Sequence, residues 1–188
     1  MGKQSWLDEF NFEQEVAPNS DSEEIIFVDV GGGIGTQCFN LRQHFPHLAG
    51  RVILQDLETP IKQALKVDGM ETMIHDFLTE QPVKGARSYF LRKVMHDNPD
   101  KKCIAILQNI IKSMGPFSVI LIDDMILPTQ GVHWRATQID ITVMAGLAAM
   151  ERTAKQWADM LDKAELKVVK TVVYHPDLHD TIIVTVPK

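Results

Sequence analysis

From Ile25 onward, short apolar runs alternate with stretches whose apolar residues recur every three or four positions. Runs of the first kind predict strands at Ile25–Val30, Arg51–Gln55, Glu71–His75, Ser88–Leu91 and Val119–Ile122. Between them, helical spacing predicts helices near Gln37–Phe45, where Cys38, Leu41 and Phe45 share a face, near Thr59–Leu65, and at Lys101–Lys112. Val119–Ile122 is apolar without interruption, as a strand covered on both faces should be. Two longer helices are expected at Ala136–Ala149 and Glu151–Ala164, followed by strands Lys167–Tyr174 and Thr181–Val186. The last two are joined by too short a loop for a helical crossover, so they should pair antiparallel. The expected fold is α/β: five parallel strands plus a terminal hairpin in a seven-stranded sheet. Residues 1–24 read as a short helix carrying Trp6, Leu7, Phe10 and Phe12, then a loop around Pro18–Ser22 that leads into a domain spanning residues 25–188.

Bulk properties remove several function classes. The chain has 188 residues, 45% hydrophobic and 23% charged, which suits one soluble domain. A net charge of −6 provides no basic field for a phosphate backbone, so no nucleic-acid partner is expected. No stretch approaches the ~18 apolar residues of a membrane span, and the acidic N-terminus is unlike a targeting peptide. Cys38 and Cys103 read as reduced core residues, which places the protein in the cytoplasm. His175 and His179 are split by Pro176, and the other histidines lack partners at ligand spacing, so no metal site is expected.

The polar residues that remain gather where the strands end. In open parallel sheets, ligands bind beyond the carboxyl ends of the strands. The first strand ends in Asp29-Val30 and breaks into Gly31, Gly33 and Gly35, a turn that brings backbone close to a ligand ahead of a helix N-terminus. A dinucleotide fingerprint would place the third glycine at 36, where this chain has Thr, so a nucleotide-like ligand is favoured over a nicotinamide dinucleotide. Asp56 ends the second strand at the spacing that lets a carboxylate accept ribose hydroxyls. Asp76 and Phe77 follow the third and suit an adenine. Arg92, His96 and Asp97 follow the fourth, Asp123 and Asp124 the fifth, and Glu151 opens a helix where the dipole favours an acid. Singly, Asp56 and Asp76 also look like helix caps, His96-Asp97 like a polar loop, Asp123-Asp124 like a solvated turn, and Glu151-Arg152 like a surface ion pair. Their convergence on one sheet edge is what raises them together.

These residues fall into motifs that resemble a known family. Val28-Asp29-Val30-Gly31-Gly32-Gly33-Ile34-Gly35, Leu54-Gln55-Asp56-Leu57, His75-Asp76-Phe77, Tyr89-Phe90-Leu91-Arg92, His96-Asp97, Ile126-Leu127-Pro128 and Met150-Glu151-Arg152-Thr153 are similar to successive motifs of the caffeate-type O-methyltransferases. The spelling is nearest the fungal branch, which acts in secondary metabolism. The resemblance implies a Rossmann-like methyltransferase fold, S-adenosylmethionine as cofactor, and a small hydroxylated aromatic or polyketide-like acceptor. It implies that Gly31 and Gly33 line the methionine end, Asp56 holds the ribose, Asp76 and Phe77 hold the adenine, and Arg92 contacts the cofactor. His96 would be the general base, flanked by Asp124 and Glu151. Departures are Asn98 where Trp is usual, Leu78 for a frequent second Phe, Asp124 for the commoner Glu, and Glu165 for Gly. Family members carry a helical N-terminal dimerisation domain that is absent from this sequence, so an exposed apolar face near Ala136–Ala149 and self-association through it are expected. The alternatives are an S-adenosylmethionine-binding module without transferase activity and, disfavoured by Thr36 and the terminal hairpin, a nucleotide-dependent oxidoreductase.

Overall fold

The computed structural model describes residues 5–188. Its sheet is built from β1 (Ile25–Val30), β2 (Arg51–Asp56), β3 (Met70–Ile74), β4 (Ser88–Arg92), β5 (Val119–Leu127), β6 (Arg152–Thr153), β7 (Leu166–His175) and β8 (Asp180–Pro187). The order is β3-β2-β1-β4-β5-β8-β7, with the two-residue β6 pairing with β5 off the main path. β1 to β5 run parallel, and β8 is antiparallel to both β5 and β7. The expected sheet and terminal hairpin are therefore present, with β6 as an additional eighth strand.

Seven helices accompany the strands among the described residues: α1 (Trp6–Glu9), α2 (Phe12–Glu15), α3 (Thr36–His44), α4 (Glu58–Lys62), α5 (Asp100–Ile111), α6 (Trp134–Leu147) and α7 (Ala154–Lys163). The single short helix expected near the start is two one-turn helices. Ser5 and Asp8 form a capping box on the first, and Asn11 caps the second.

Strand alternation sorts the sheet into two apolar faces. Val28, Val30, Tyr89, Leu91, Ile120 and Ile122 pack with α5 and α7. Phe27, Phe90 and Leu121 point the other way, into a second cluster with Cys38 and Leu41 of α3 and with Trp6, Phe10 and Phe12. Trp6 stacks on Phe90 at 4.9 Å, so the segment before β1 packs into the same core as the strands. Cys38 and Cys103 are both buried and unpaired by disulfide, as expected.

Two boundaries differ in ways that matter for the site. β5 does not stop at Ile122 but runs nine residues to Leu127, so Asp123 and Asp124 lie inside a strand, paired with β8 at Ile182 and Thr181. Their buried carboxylates are tolerated because cations and hydrogen-bond donors from other elements meet them. Glu151 does not open a helix either. It precedes β6, and α7 begins at Ala154 behind a Thr153–Gln156 capping box. The Glu151-Arg152 pair is buried instead of lying on the surface. On α6 the expected apolar exposure is present: Ile141, Met144 and Leu147 are each at least half exposed. No helix among the described residues is long and apolar enough to cross a membrane.

Candidate active site

The glycine turn is fastened to β2. Gly31 and Gly32 donate their N–H groups to the Gln55 carbonyl at 2.8 and 3.1 Å, and Gly33 donates to Asp56 Oδ2 at 2.7 Å. Gly31 and Gly33 adopt φ of +71° and +62°, which side chains other than glycine rarely take. A Cβ on Gly31 would stand 3.4 Å from the Phe77 ring, so Phe77 already lies against the turn. Asp76 accepts from the Leu78 N–H at 2.9 Å, a local turn that fixes Phe77 between them. Gly31, Gly33, Asp56, Asp76 and Phe77 thus form one continuous rim at the ends of β1 to β3.

Beneath the turn is a buried acid. Asp29 Oδ2 is 3.6 Å from the Cys38 thiol, and Oδ1 has no partner among the described residues. Burial pushes the Asp29 pKa up to about 7, against the opposing pull of the Cys38 hydrogen bond and the Arg92 charge.

The two acids of β5 project to opposite faces because side chains alternate along a strand. Asp123 faces α3. It accepts from Arg92 Nη1 at 2.5 Å and from the Tyr174 hydroxyl at 2.7 Å. Arg92 is therefore committed to Asp123, on the wall of a cleft of about 620 Å³ shared with Thr36, Gln37, Tyr174 and Asp180. Asp124 faces α5 and α7. Its Oδ2 accepts from the His96 N–H at 3.2 Å, and its Oδ1 lies 3.8 Å from His96 Nδ1. Burial pushes Asp124 up to about 6, against the charges of Lys93 and His96.

His96 Nδ1 lies 2.7 Å from Glu151 Oε1. A carboxylate only accepts, so Nδ1 carries the hydrogen and Nε2 is the nitrogen left to exchange a proton. Nε2 lies 3.2 Å from Asp97 Oδ1, so the ring stands between two carboxylates, an arrangement that suits the imidazolium. Burial opposes that charge. The Glu151 hydrogen bond and the charges of Asp124 and Asp97 outweigh it, and the His96 pKa is raised above its ordinary value. His96, Asp124 and Glu151 each offer one ligand-type atom within 4.8 Å of the others. Lys93 places a cation 3.6 Å from Asp124.

A family model described as an O-methyltransferase domain matches residues 19–167. The chain belongs to the O-methyltransferase family. This O-methyltransferase domain is 43% identical over 188 residues to a 16-O-methyltransferase of Alternaria brassicicola, a match that takes in 98% of this chain and 47% of that protein. It is 39% identical over 183 residues to a demethylsterigmatocystin 6-O-methyltransferase of Emericella nidulans, covering 97% of this chain and 89% of that one. The chain thus spans about half the length of the Alternaria relative and of several others. Among solved structures it resembles LepI in complex with SAM, with 39% identity and a TM-score of 0.94 over 100% of this chain and 49% of that one.

Within the O-methyltransferase domain the structure brings together His96, Asp124 and Glu151, and separately the glycine rim with Asp56, Asp76 and Phe77. It leaves Arg92 on the opposite face of β5 from His96. Sequence reading misses two cations. Lys93 sits at φ +54° and donates to Asp180 Oδ1 at 2.6 Å. Arg152 is 1% exposed and clamps the segment that bears His96, donating to the carbonyls of Met95 and Asn98, both at 2.9 Å, and to Asp100. Asn98, at the position where Trp is usual, caps back onto the Val94 carbonyl at 2.8 Å. The Thr153-x-x-Gln156 spacing is the sequence signal that starts α7 late and leaves Glu151 outside it.

Proposed function

We propose that this chain is the catalytic part of an enzyme that moves the methyl group of S-adenosylmethionine onto a hydroxyl of a small aromatic or polyketide-like metabolite, with His96 as general base. The observation that carries this reading is the 2.7 Å contact of His96 Nδ1 with buried Glu151, with Asp124 beside it. A sulfonium methyl is already activated, so the protein has to align it with the acceptor oxygen and take that oxygen's proton. A phenol of pKa about 10 is only about a thousandth ionised at neutral pH. Glu151 fixes the tautomer that leaves Nε2 as acceptor and stabilises the imidazolium formed. The incoming hydroxyl replaces Asp97 Oδ1 at Nε2, and the half-exposed Asp97 side chain has room to turn away. The rim of Gly31, Gly33, Asp56, Asp76 and Phe77 holds the cofactor: turn backbone at the methionine end, Asp56 at the ribose, Asp76 and Phe77 at the adenine. Arg92 and Asp123 close that site from the α3 side. The SAM in complex with LepI and the 6-O-methyltransferase activity in the Emericella relative's name support the same assignment.

The test is methyl transfer from labelled S-adenosylmethionine to a panel of phenols, by wild type and His96→Ala. A positioned histidine typically contributes ~10²–10⁴-fold, so the variant should lose that much while binding S-adenosylhomocysteine normally. Near-normal turnover in the variant would remove His96 from the mechanism. Cofactor binding without transfer by the wild type, on any phenol, would favour a non-methylating module. We further propose that the apolar face of α6 mediates self-association, which light scattering coupled to gel filtration reads directly; a monomer at all concentrations would count against it.

A further inference from the structure

Lys93 lies where no step of the proposed reaction uses it. It follows Arg92 at the end of β4, where its backbone N–H still donates to the Asp123 carbonyl at 3.0 Å, as a continuation of the β4–β5 ladder. At φ +54° the chain then leaves the sheet, and three residues later it delivers His96. A lysine gains nothing from that left-handed conformation itself, so the side chain has to justify it. The Lys93 ammonium bridges two strands that are antiparallel neighbours: 2.6 Å to Asp180 Oδ1 at the start of β8 and 3.6 Å to Asp124 Oδ1 within β5. Asp124 Oδ1 is in turn 3.8 Å from His96 Nδ1. One cation thus stands behind the acid that stands behind the base.

We propose that Lys93 is a positioning residue for the reaction: anchored on Asp180, its ammonium pairs with Asp124 and offsets the negative charge that Asp124 places beside His96, and so keeps His96 available as a neutral base near neutral pH. The proposal rests on the reading of His96 as general base. Charged groups reach this cluster from every element around it. Asp123 and Asp124 come from β5; Arg92, Lys93, His96 and Asp97 come from the end of β4 and the segment after it. Glu151 comes from the segment before β6, with its N–H held by Asp140 of α6 at 2.8 Å, and Asp180 comes from β8. Arg92 is spent on Asp123 across the sheet, and Arg152 on the Met95 and Asn98 carbonyls and on Asp100 of α5, which leaves Lys93 as the cation paired with Asp124. Removing that cation leaves the Asp124 charge unopposed beside the imidazole, which favours proton uptake by the Asp124–His96 pair. The cluster should then take its first proton at higher pH, and the base should be titrated out sooner as pH falls.

The experiment uses the full chain and reads the His96 ring directly. Nuclear magnetic resonance of ring-labelled histidine, with His96 assigned by its disappearance in His96→Gln, follows the titration in wild type, Lys93→Met and Lys93→Arg. An opposite charge at this range moves an ionisable group by ~1 pH unit or more, so Lys93→Met should raise the first His96 transition by about that amount, while Lys93→Arg should leave it near wild type. In the methyl-transfer assay, Lys93→Met should lose up to about tenfold in rate below the His96 transition and approach wild type as pH rises above it. A folded Lys93→Met with an unchanged His96 titration overturns the proposal, as does a loss of rate equal at all pH values. Should Lys93→Met fail to fold, Lys93→Met/Asp180→Asn removes both outer charges, leaves Asp124 without its cation, and carries the same expectation. If the wild type transfers no methyl group, the general-base reading fails, and the ring titration still decides whether Lys93 governs the cluster.

Discussion

Replacing Arg152 by Met should cost more stability than any exposed ion pair here. Arg152 is 1% exposed, and its guanidinium holds the Met95 and Asn98 carbonyls at 2.9 Å each. It also pairs with Asp100 at 2.8 Å and lies 5.4 Å from the Trp157 ring centroid. Asp100 has a half-exposed side chain, so water can replace the arginine there. The two carbonyls are inside, and Cys103 offers them only a weak thiol donor. Stranding a buried acceptor costs about 1–3 kcal/mol, so two come to about 2–6 kcal/mol. Removing a buried charge and filling the space with Met returns part of that, leaving a net loss of roughly 3 kcal/mol. For a chain of this size 1 kcal/mol moves Tm by about 2–4 °C, so Arg152→Met should melt roughly 6–12 °C below wild type in scanning calorimetry. Asp100→Asn, which removes only the exposed end of the same pair, should cost about 0–1 kcal/mol. An Arg152→Met variant melting within about 2 °C of wild type, a loss of less than about 1 kcal/mol, would refute the reasoning, and so would an equal loss in Asp100→Asn.

Glu151→Gln removes the hydrogen-bonded carboxylate that favours the imidazolium, so the His96 transition should move to lower pH in the same ring titration; a rise would contradict the assignment. Asp29 has a folded pKa of about 7, raised from 3.8, so between those values the native state holds a proton that the unfolded chain has released. Stability from this group is therefore fully present below the unfolded pKa and is lost as pH rises through about 7. Asp29→Asn should accordingly gain Tm relative to wild type on going from pH 5 to pH 8, and a constant difference would be the opposing result. Glu165 sits at φ +63° just past α7, where glycine is unstrained, so Glu165→Gly should stabilise by about 0.5–1 kcal/mol in urea unfolding, and a lower midpoint would show that side-chain contacts outweigh the backbone.

Most of the sheet is legible because burial on both faces writes itself as uninterrupted apolar runs. The expected β1, β2 and β4 lie within a residue of where the structure has them. β5 reads short because Asp123-Asp124 interrupts such a run, and a pair of acids reads as solvated. What buries them is remote in sequence: Arg92 and Tyr174 for one, Lys93 and His96 for the other. Glu151 reads as helical because the apolar spacing of α7 extends backward through Met150, although β6 interposes two residues. The glycine rim is readable since its residues act through local backbone. The roles of Lys93 and Arg152 are not, because each depends on a carboxylate or carbonyl that another element contributes.

The alternation of Asp123 and Asp124 across β5 makes this strand intolerant of a change in length. A substitution there alters one side chain. Losing or gaining a single residue upstream within the strand would turn both acids over, pointing Asp123 to the face that holds the histidine and Asp124 to the face that holds Arg92 and Tyr174. Both carboxylates would survive, yet each would lie on the wrong face for its own partners. In the descent of such a domain, the segment from Val119 to Leu127 should therefore drift by replacement while its residue count stays locked, much as a reading frame does.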